Sequence, residues 1–221
     1  GVGKTLLTGL LLCRLRRAGY RALAIKPFAT GSSADADLLD AIQGGELPRT
    51  LLNPFFFPKP VAPLVAARAA GRAIPLATVI DRMQAAAARC DFLLVEGCGG
   101  LLTPLGEAFS LLEVIRGRPG PVAIVARNRL GVLHQVLSVQ QALRAAKIEP
   151  VTAVLMGVRF PDLSADTNAA VLRELVGGMR VVECPYLGRK ASRPGAIRKA
   201  TARLDRELAH LARFAFGLCV R

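Results

Sequence analysis

The chain has 221 residues, 52% hydrophobic and 5% aromatic, with 30 Lys and Arg against 16 Asp and Glu for a net charge of +14. That length suits one domain with a substantial core, and no run of about 18 apolar residues free of charge predicts a membrane span. Cys13, Cys90, Cys98, Cys184 and Cys219 form no C-x-x-C pair, which argues against a disulfide frame or a zinc site and for buried or free thiols in a reducing cytoplasm.

The positive charge is mostly arginine and is spread along the chain. Only Arg189–Lys199 concentrates it, and no aromatic residues are interleaved there for base stacking, so a nucleic-acid partner is not predicted.

The first stretch, Gly1-Val2-Gly3-Lys4-Thr5 running into Leu6 and Leu7, has the pattern of the second half of a phosphate-binding loop opening a helix. Glycines let backbone N–H groups face a phosphate, and the helix start adds partial positive charge. Lys4 can reach the β- and γ-phosphates, and the Thr5 hydroxyl can hold Mg²⁺. A complete loop is preceded by a strand and a further glycine, so the chain is read as N-terminally clipped, with its first strand missing.

Lys4 to about Ala18 is predicted helical, stopped at Gly19 after a basic turn. Arg21–Ile25 reads as a short strand ending at Lys26, and Asp35–Ala41 as a short helix. Asn53–Pro63, rich in Pro and Phe, cannot be regular throughout. Pro63–Ala70 and Leu76–Arg89 are predicted helices. Asp91–Val95 is a continuous apolar run, the pattern of a buried central parallel strand, and it ends on Glu96-Gly97-Cys98-Gly99-Gly100. Pro121–Ala126 is a second buried strand, followed by a helix over Gly131–Ala146. Val151–Met156 is a strand, Ser164–Val176 a helix and Arg180–Val182 a short strand. Arg189–Lys199 reads as a polar link and Thr201–Phe216 as a last amphipathic helix. Alternating strands and helices predict a single α/β domain, a mostly parallel sheet flanked by helices. In such sheets ligands lie at the carboxyl ends of the strands, the position of Lys26, Glu96 and the loop after Ala126.

Glu96 ends an apolar strand before a glycine-rich turn, where a carboxylate can bind Mg²⁺ directly or through water; the alternatives are a helix cap or a plain loop acid. Lys26 at a strand end can neutralise a developing anion, although a lysine is ordinarily a surface residue. Thr30 and Ser32 can add hydroxyl contacts. Asp37 is a second candidate magnesium ligand and Asp35 its rival. His134 begins a helix after Gly131, with no spacing that supports a nucleophilic triad.

In three segments the chain resembles dethiobiotin synthetase: the G-V-G-K-T loop at Gly1–Thr5, K-P-x-x-T-G at Lys26–Gly31, and E-G-x-G-G at Glu96–Gly100 followed by Thr103-Pro104-Leu105. Asn53-Pro54-Phe55, Gly71-Arg72 and the Leu130-Gly131 helix start are also similar, so that the resemblance covers most of 1–188 and leaves 189–221 as a basic link and C-terminal helix. It implies a P-loop NTPase-like α/β fold, a homodimer, and an ATP-dependent ligase that closes a ureido ring on diaminopelargonate with CO₂ and MgATP. One amine becomes a carbamate, the carbamate takes the γ-phosphoryl group, and the second amine displaces phosphate. By the same resemblance Lys4 stabilises the phosphoryl group and Lys26 the carbamate. Thr5, Asp37 and Glu96 hold magnesium. Thr30, Gly131, Val132 and His134 line the substrate site. Gly1, Val2 and Gly3 hold the nucleotide with Lys4 and Thr5. The family's adenine-reading Asn falls on Met156, and its Asn-His pair on His134-Gln135. The first departure implies weak preference for adenine; the second leaves substrate contact to the backbone amides of Gly131 to His134.

Two other classes fit parts of this pattern. A ParA/MinD-like partitioning ATPase shares a deviant phosphate loop but lacks the K-P-x-x-T-G and E-G-x-G-G segments. A cobyrinate diamide synthase carries a glutaminase half with a catalytic cysteine, for which the chain has no room.

Overall fold

A computed structural model describes residues 1–150 and 152–216, which group into two compact units. One unit comprises 5–119 with 192–201. It opens on helix α1 (Lys4–Arg17), whose Leu10, Leu12 and Leu15 are buried, and continues into strand β1 (Ala22–Ile25), buried at every position. Strand β2 (Phe28–Thr30) follows at once, then α2 (Ala34–Gln43), α3 (Arg49–Leu52) and strand β3 (Phe55–Phe57). Helices α4 (Pro63–Ala69) and α5 (Leu76–Ala87) lead to β4 (Phe92–Val95). A short hairpin of β5 (Pro104–Gly106) and β6 (Phe109–Ser110) ends in α6 (Leu111–Gly117).

β1 pairs in parallel with β4 and β2 in parallel with β3, whereas β5 and β6 are antiparallel. The free side of β1 is closed by a side chain: Ala24 N–H donates to Gln43 Oε1 at 2.9 Å, and Gln43 is fully buried. A strand with an open edge in a core needs such a partner, because each buried N–H must find an acceptor.

The other unit comprises 1–4, 120–191 and the residues from 202 onward. Its sheet is β7 (Ala123–Arg127), β8 (Thr152–Met156) and β9 (Arg180–Cys184), all parallel, in the order β7-β8-β9. Helix α7 (Val132–Ala145) joins β7 to β8, and α8 (Ala165–Leu175) joins β8 to β9. Parallel neighbours joined by helices are what strand-helix alternation requires. β8, in the middle, is buried at all five positions.

Among the described residues, α9 (Pro194–Arg203) and α10 (Asp205–Phe216) follow. Among the described residues, no helix is long and apolar enough to cross a membrane.

Several sequence expectations need correction. The basic stretch 189–199 is not a link throughout, because α9 begins at Pro194. Its buried Ile197 and Thr201 lie four residues apart, a helical seam too narrow to stand out among arginines. Ile197 and Ile42 pack on Gly9, where an added Cβ would come within 3.0 Å of both side chains. The run Asp91–Val95 is less buried than a two-sided central strand: β4 pairs only with β1 among the described residues, and Val95 is 38% exposed. In β7, Ala123 and Arg127 are likewise exposed. Phe28–Thr30, given no element from the sequence, is a strand because β3 supplies its ladder. Cys13, Cys90 and Cys184 are free thiols, as expected; Cys219 lies outside the described residues.

Candidate active site

The parallel register Ile25↔Val95 brings the next residue of each strand to the same sheet edge. Those residues are Lys26 and Glu96. The ladder continues one step beyond the strands, with Glu96 N–H donating to the Ile25 carbonyl at 2.9 Å. Lys26 Nζ donates to Glu96 Oε1 at 2.6 Å, and the two side chains are only 7% and 1% exposed. Thr5 Oγ1 donates to the same Glu96 oxygen at 2.7 Å. Lys26 Nζ also lies 3.3 Å from Asp35 Oδ2. Glu96 Oε2 is buried with no hydrogen-bond partner. Burial by itself would lower the Lys26 pKa; the Glu96 charge and hydrogen bond, helped by Asp35, outweigh it and lift the ammonium above its ordinary range.

The backbone of Lys26 is fixed on both sides. Its N–H donates to the Leu52 carbonyl at 2.9 Å, and its carbonyl accepts from Asn53 Nδ2 at 2.6 Å. Phe55 N–H then bonds the Pro27 carbonyl, which starts the β2–β3 ladder up to Thr30 and Phe57. Gly31, at φ +77°, passes so close to Pro60 that a Cβ there would lie 2.7 Å from the proline Cβ. This contact gives the glycine of K-P-x-x-T-G its reason. Thr30, half-buried, therefore sits on a strand end held by β3 and by the contact of Gly31 with Pro60.

The glycine turn after Glu96 is closed by Thr103, whose Oγ1 accepts from Gly100 N–H at 2.8 Å. A side chain at Gly99, φ +71°, would collide with Thr103. The T-P-L segment thus belongs to the turn that carries Glu96.

The structure separates the two candidate aspartates. Asp35 joins the Lys26 ammonium. Asp37 accepts from Ser33 Oγ at 2.7 Å and pairs with Arg49 at 2.6 Å; the serine hydrogen bond and the arginine hold its carboxyl below the usual range.

The remaining candidates lie in the other unit. Gly1 and Gly3 meet the carboxyl ends of β7 and β8: the Gly1 carbonyl accepts from Arg127 Nε at 3.0 Å, and Gly3, at φ +104°, lies against Met156. Met156 is buried, and its carbonyl accepts from Asn128 N–H. Val2 and Lys4 continue the loop into α1. Gly131, at φ +90°, opens α7. Val132 N–H is already bonded to the Arg129 carbonyl at 3.1 Å, and His134 is exposed with Nδ1 3.3 Å from Ser138 Oγ.

Sequence reading passed over the role of Asn53 as the brace of Lys26. The available signal was an amide residue directly before a proline, where the chain must leave helix α3 and its side chain is free to satisfy backbone groups.

A family model described as an AAA domain matches residues 1–189. The chain is 34% identical over 207 residues to the ATP-dependent dethiobiotin synthetase BioD of Anaeromyxobacter sp. strain Fw109-5, covering 91% of this chain and 93% of that protein. It is 32% identical over 214 residues to the protein of the same name from Ralstonia nicotianae, covering 92% and 90% respectively. Among solved structures, a nucleotide-binding protein in complex with ADP from Archaeoglobus fulgidus superposes with a TM-score of 0.52 at 14% identity, over 90% of this chain and 84% of that one. That likeness bears on the fold alone and agrees with a P-loop NTPase-like α/β architecture of mostly parallel strands.

Proposed function

Because the chain belongs to the dethiobiotin synthetase family, ATP-dependent ligases of biotin biosynthesis, we propose that it closes the ureido ring of dethiobiotin on diaminopelargonate, using CO₂ and MgATP. The observation that carries this reading is Lys26: a buried ammonium at the carboxyl end of β1, braced by Asn53 and paired with Glu96. Every intermediate of the reaction is an anion, so fixed positive charge and positioning are the chemistry the protein must supply.

In this reading, Lys26 pairs with the carbamate formed from one amine and CO₂, and Lys4 balances charge on the phosphoryl group in transfer. Thr30, on the strand that follows Lys26, lines the place of the diamine. Met156 offers a base no amide donor-acceptor pair, so discrimination among nucleotides is weak. Oxygen donors suit magnesium, which takes one or two carboxylates and completes its shell with phosphate and water. Thr5 and Glu96 fit it, with the partnerless Oε2 as the free donor, whereas Asp37, the third candidate, is engaged by Ser33 and Arg49. When bound, the metal neutralises charge on the β- and γ-phosphates. Like the family, the protein is proposed to be a homodimer.

The test is phosphate release from ATP with each additive in turn. It is expected to require diaminopelargonate and bicarbonate together, and Lys26→Met is expected to remove that response while leaving nucleotide affinity nearly intact. A protein that ignores both additives, or responds to DNA or lipid vesicles instead, overturns the reading.

A further inference from the structure

Glu96 accepts both of its hydrogen bonds, from Lys26 and from Thr5, on Oε1, while Oε2 is buried and has no hydrogen-bond partner. An ionised carboxylate taken out of water needs a counter-charge within contact distance, and here Lys26 supplies it. From this arrangement we infer that Lys26 holds the place of the divalent cation: ammonium and metal ion occupy Glu96 in alternation, and arrival of the metal drives Lys26 off the carboxylate. The inference rests on the reading above, in which Glu96 serves a metal.

Three features carry it. First, a dication and an ammonium cannot both sit against one carboxylate in so dry a place, because their mutual repulsion is little screened there. Second, the hydroxyl of Thr5 donates to Glu96 and keeps its lone pairs for a metal, so the metal can displace Lys26 without displacing Thr5. Third, the ammonium has somewhere to go. Asp35 Oδ2 is already 3.3 Å from Nζ, and its side chain is 52% exposed, so Lys26 can swing toward a second carboxylate at the open side. There it is charged, ordered and released from its buried partner. Metal loading thereby presents Lys26 to an incoming anion, and the free protein keeps the same lysine masked.

The experiment is direct Mn²⁺ binding to the whole protein without nucleotide, at one fixed pH, followed by the electron paramagnetic resonance of free Mn²⁺. Removing the competing ammonium is expected to tighten binding by about tenfold in Lys26→Met, with Lys26→Gln, which keeps a polar head, shifting in the same direction if the first variant folds poorly. Adding Glu96→Gln to either is expected to abolish the gain. Lys26 variants that bind Mn²⁺ no more tightly than the parent overturn the alternation. If Glu96→Gln still weakens Mn²⁺ binding in that case, the metal assignment stands alone; if Glu96→Gln leaves it unchanged, the metal assignment falls as well.

Discussion

Met156 fills the space beneath Gly3: a Cβ added to Gly3 would lie 3.0 Å from Met156 Cγ and 3.1 Å from its Cε, on a backbone with φ +104°. The residue at the end of β8 therefore supports the phosphate loop from below. Gly3→Ala is expected to strain the loop twice, by its left-handed backbone and by this contact, at about 1–3 kcal/mol, lowering nucleotide affinity by roughly tenfold or more. Adding Met156→Ala relieves the contact but not the backbone, so the double variant should recover part of the loss. A double-mutant cycle of nucleotide affinities measures the coupling; simple additivity would mean that the two residues do not press on each other.

Glu96→Gln and Thr5→Val remove two oxygen donors proposed for magnesium. Both are expected to weaken Mg²⁺-dependent turnover by about a hundredfold while changing metal-free nucleotide binding much less. Turnover at the parental rate in both variants contradicts the assignment.

Asn53 is buried and donates to the Lys26 carbonyl at 2.6 Å. Asn53→Ala leaves that acceptor unpaired in the core, at about 1–3 kcal/mol, and frees the backbone that aims Lys26. Urea unfolding should report the loss of stability, and diamine-dependent phosphate release should fall more than nucleotide affinity does. Equal losses in both would point to a general weakening of the fold.

The cap of α6 gives a pH signature. Ser110 N–H and Oγ both donate to Glu113 Oε2 at 2.7 Å, and Leu112 N–H donates to Ser110 Oγ, forming a capping box. The serine hydroxyl and backbone hold the Glu113 carboxyl below its ordinary value of 4.5. A lowered folded-state pKa stabilises above the unfolded value and loses that stability as pH falls through the folded one. Glu113→Gln is therefore expected to cost about 1 kcal/mol at neutral pH, and its gap from the parent in urea midpoint should close in the acid range below 4.5. The same cap sets Leu111 against Gly97, where any Cβ would meet Leu111 Cδ2 at 2.5 Å, so the box also seats the turn that carries Glu96.

Much of this was legible from residue order. Glycine spacing, a lysine and a glutamate each following an apolar strand, and strand-helix alternation are local patterns, because phosphate loops and parallel strands depend on backbone conformation and side-chain period. They yielded the fold class, the phosphate loop, and Lys26, Thr5 and Glu96 as the polar residues of interest. The sequence left Asp35 and Asp37 as rivals, since two aspartates one residue apart at a helix start are equivalent on paper. Helix α2 turns them differently, so that Asp35 meets Lys26 and Asp37 meets Ser33 and Arg49. Nor could residue order reveal that Asn53 braces Lys26, that Met156 props up Gly3, or that one oxygen of Glu96 holds two donors while the other has none. Those facts are contacts between residues up to 153 positions apart, and only the packing of the folded chain decides which donors and acceptors find each other once water has been excluded.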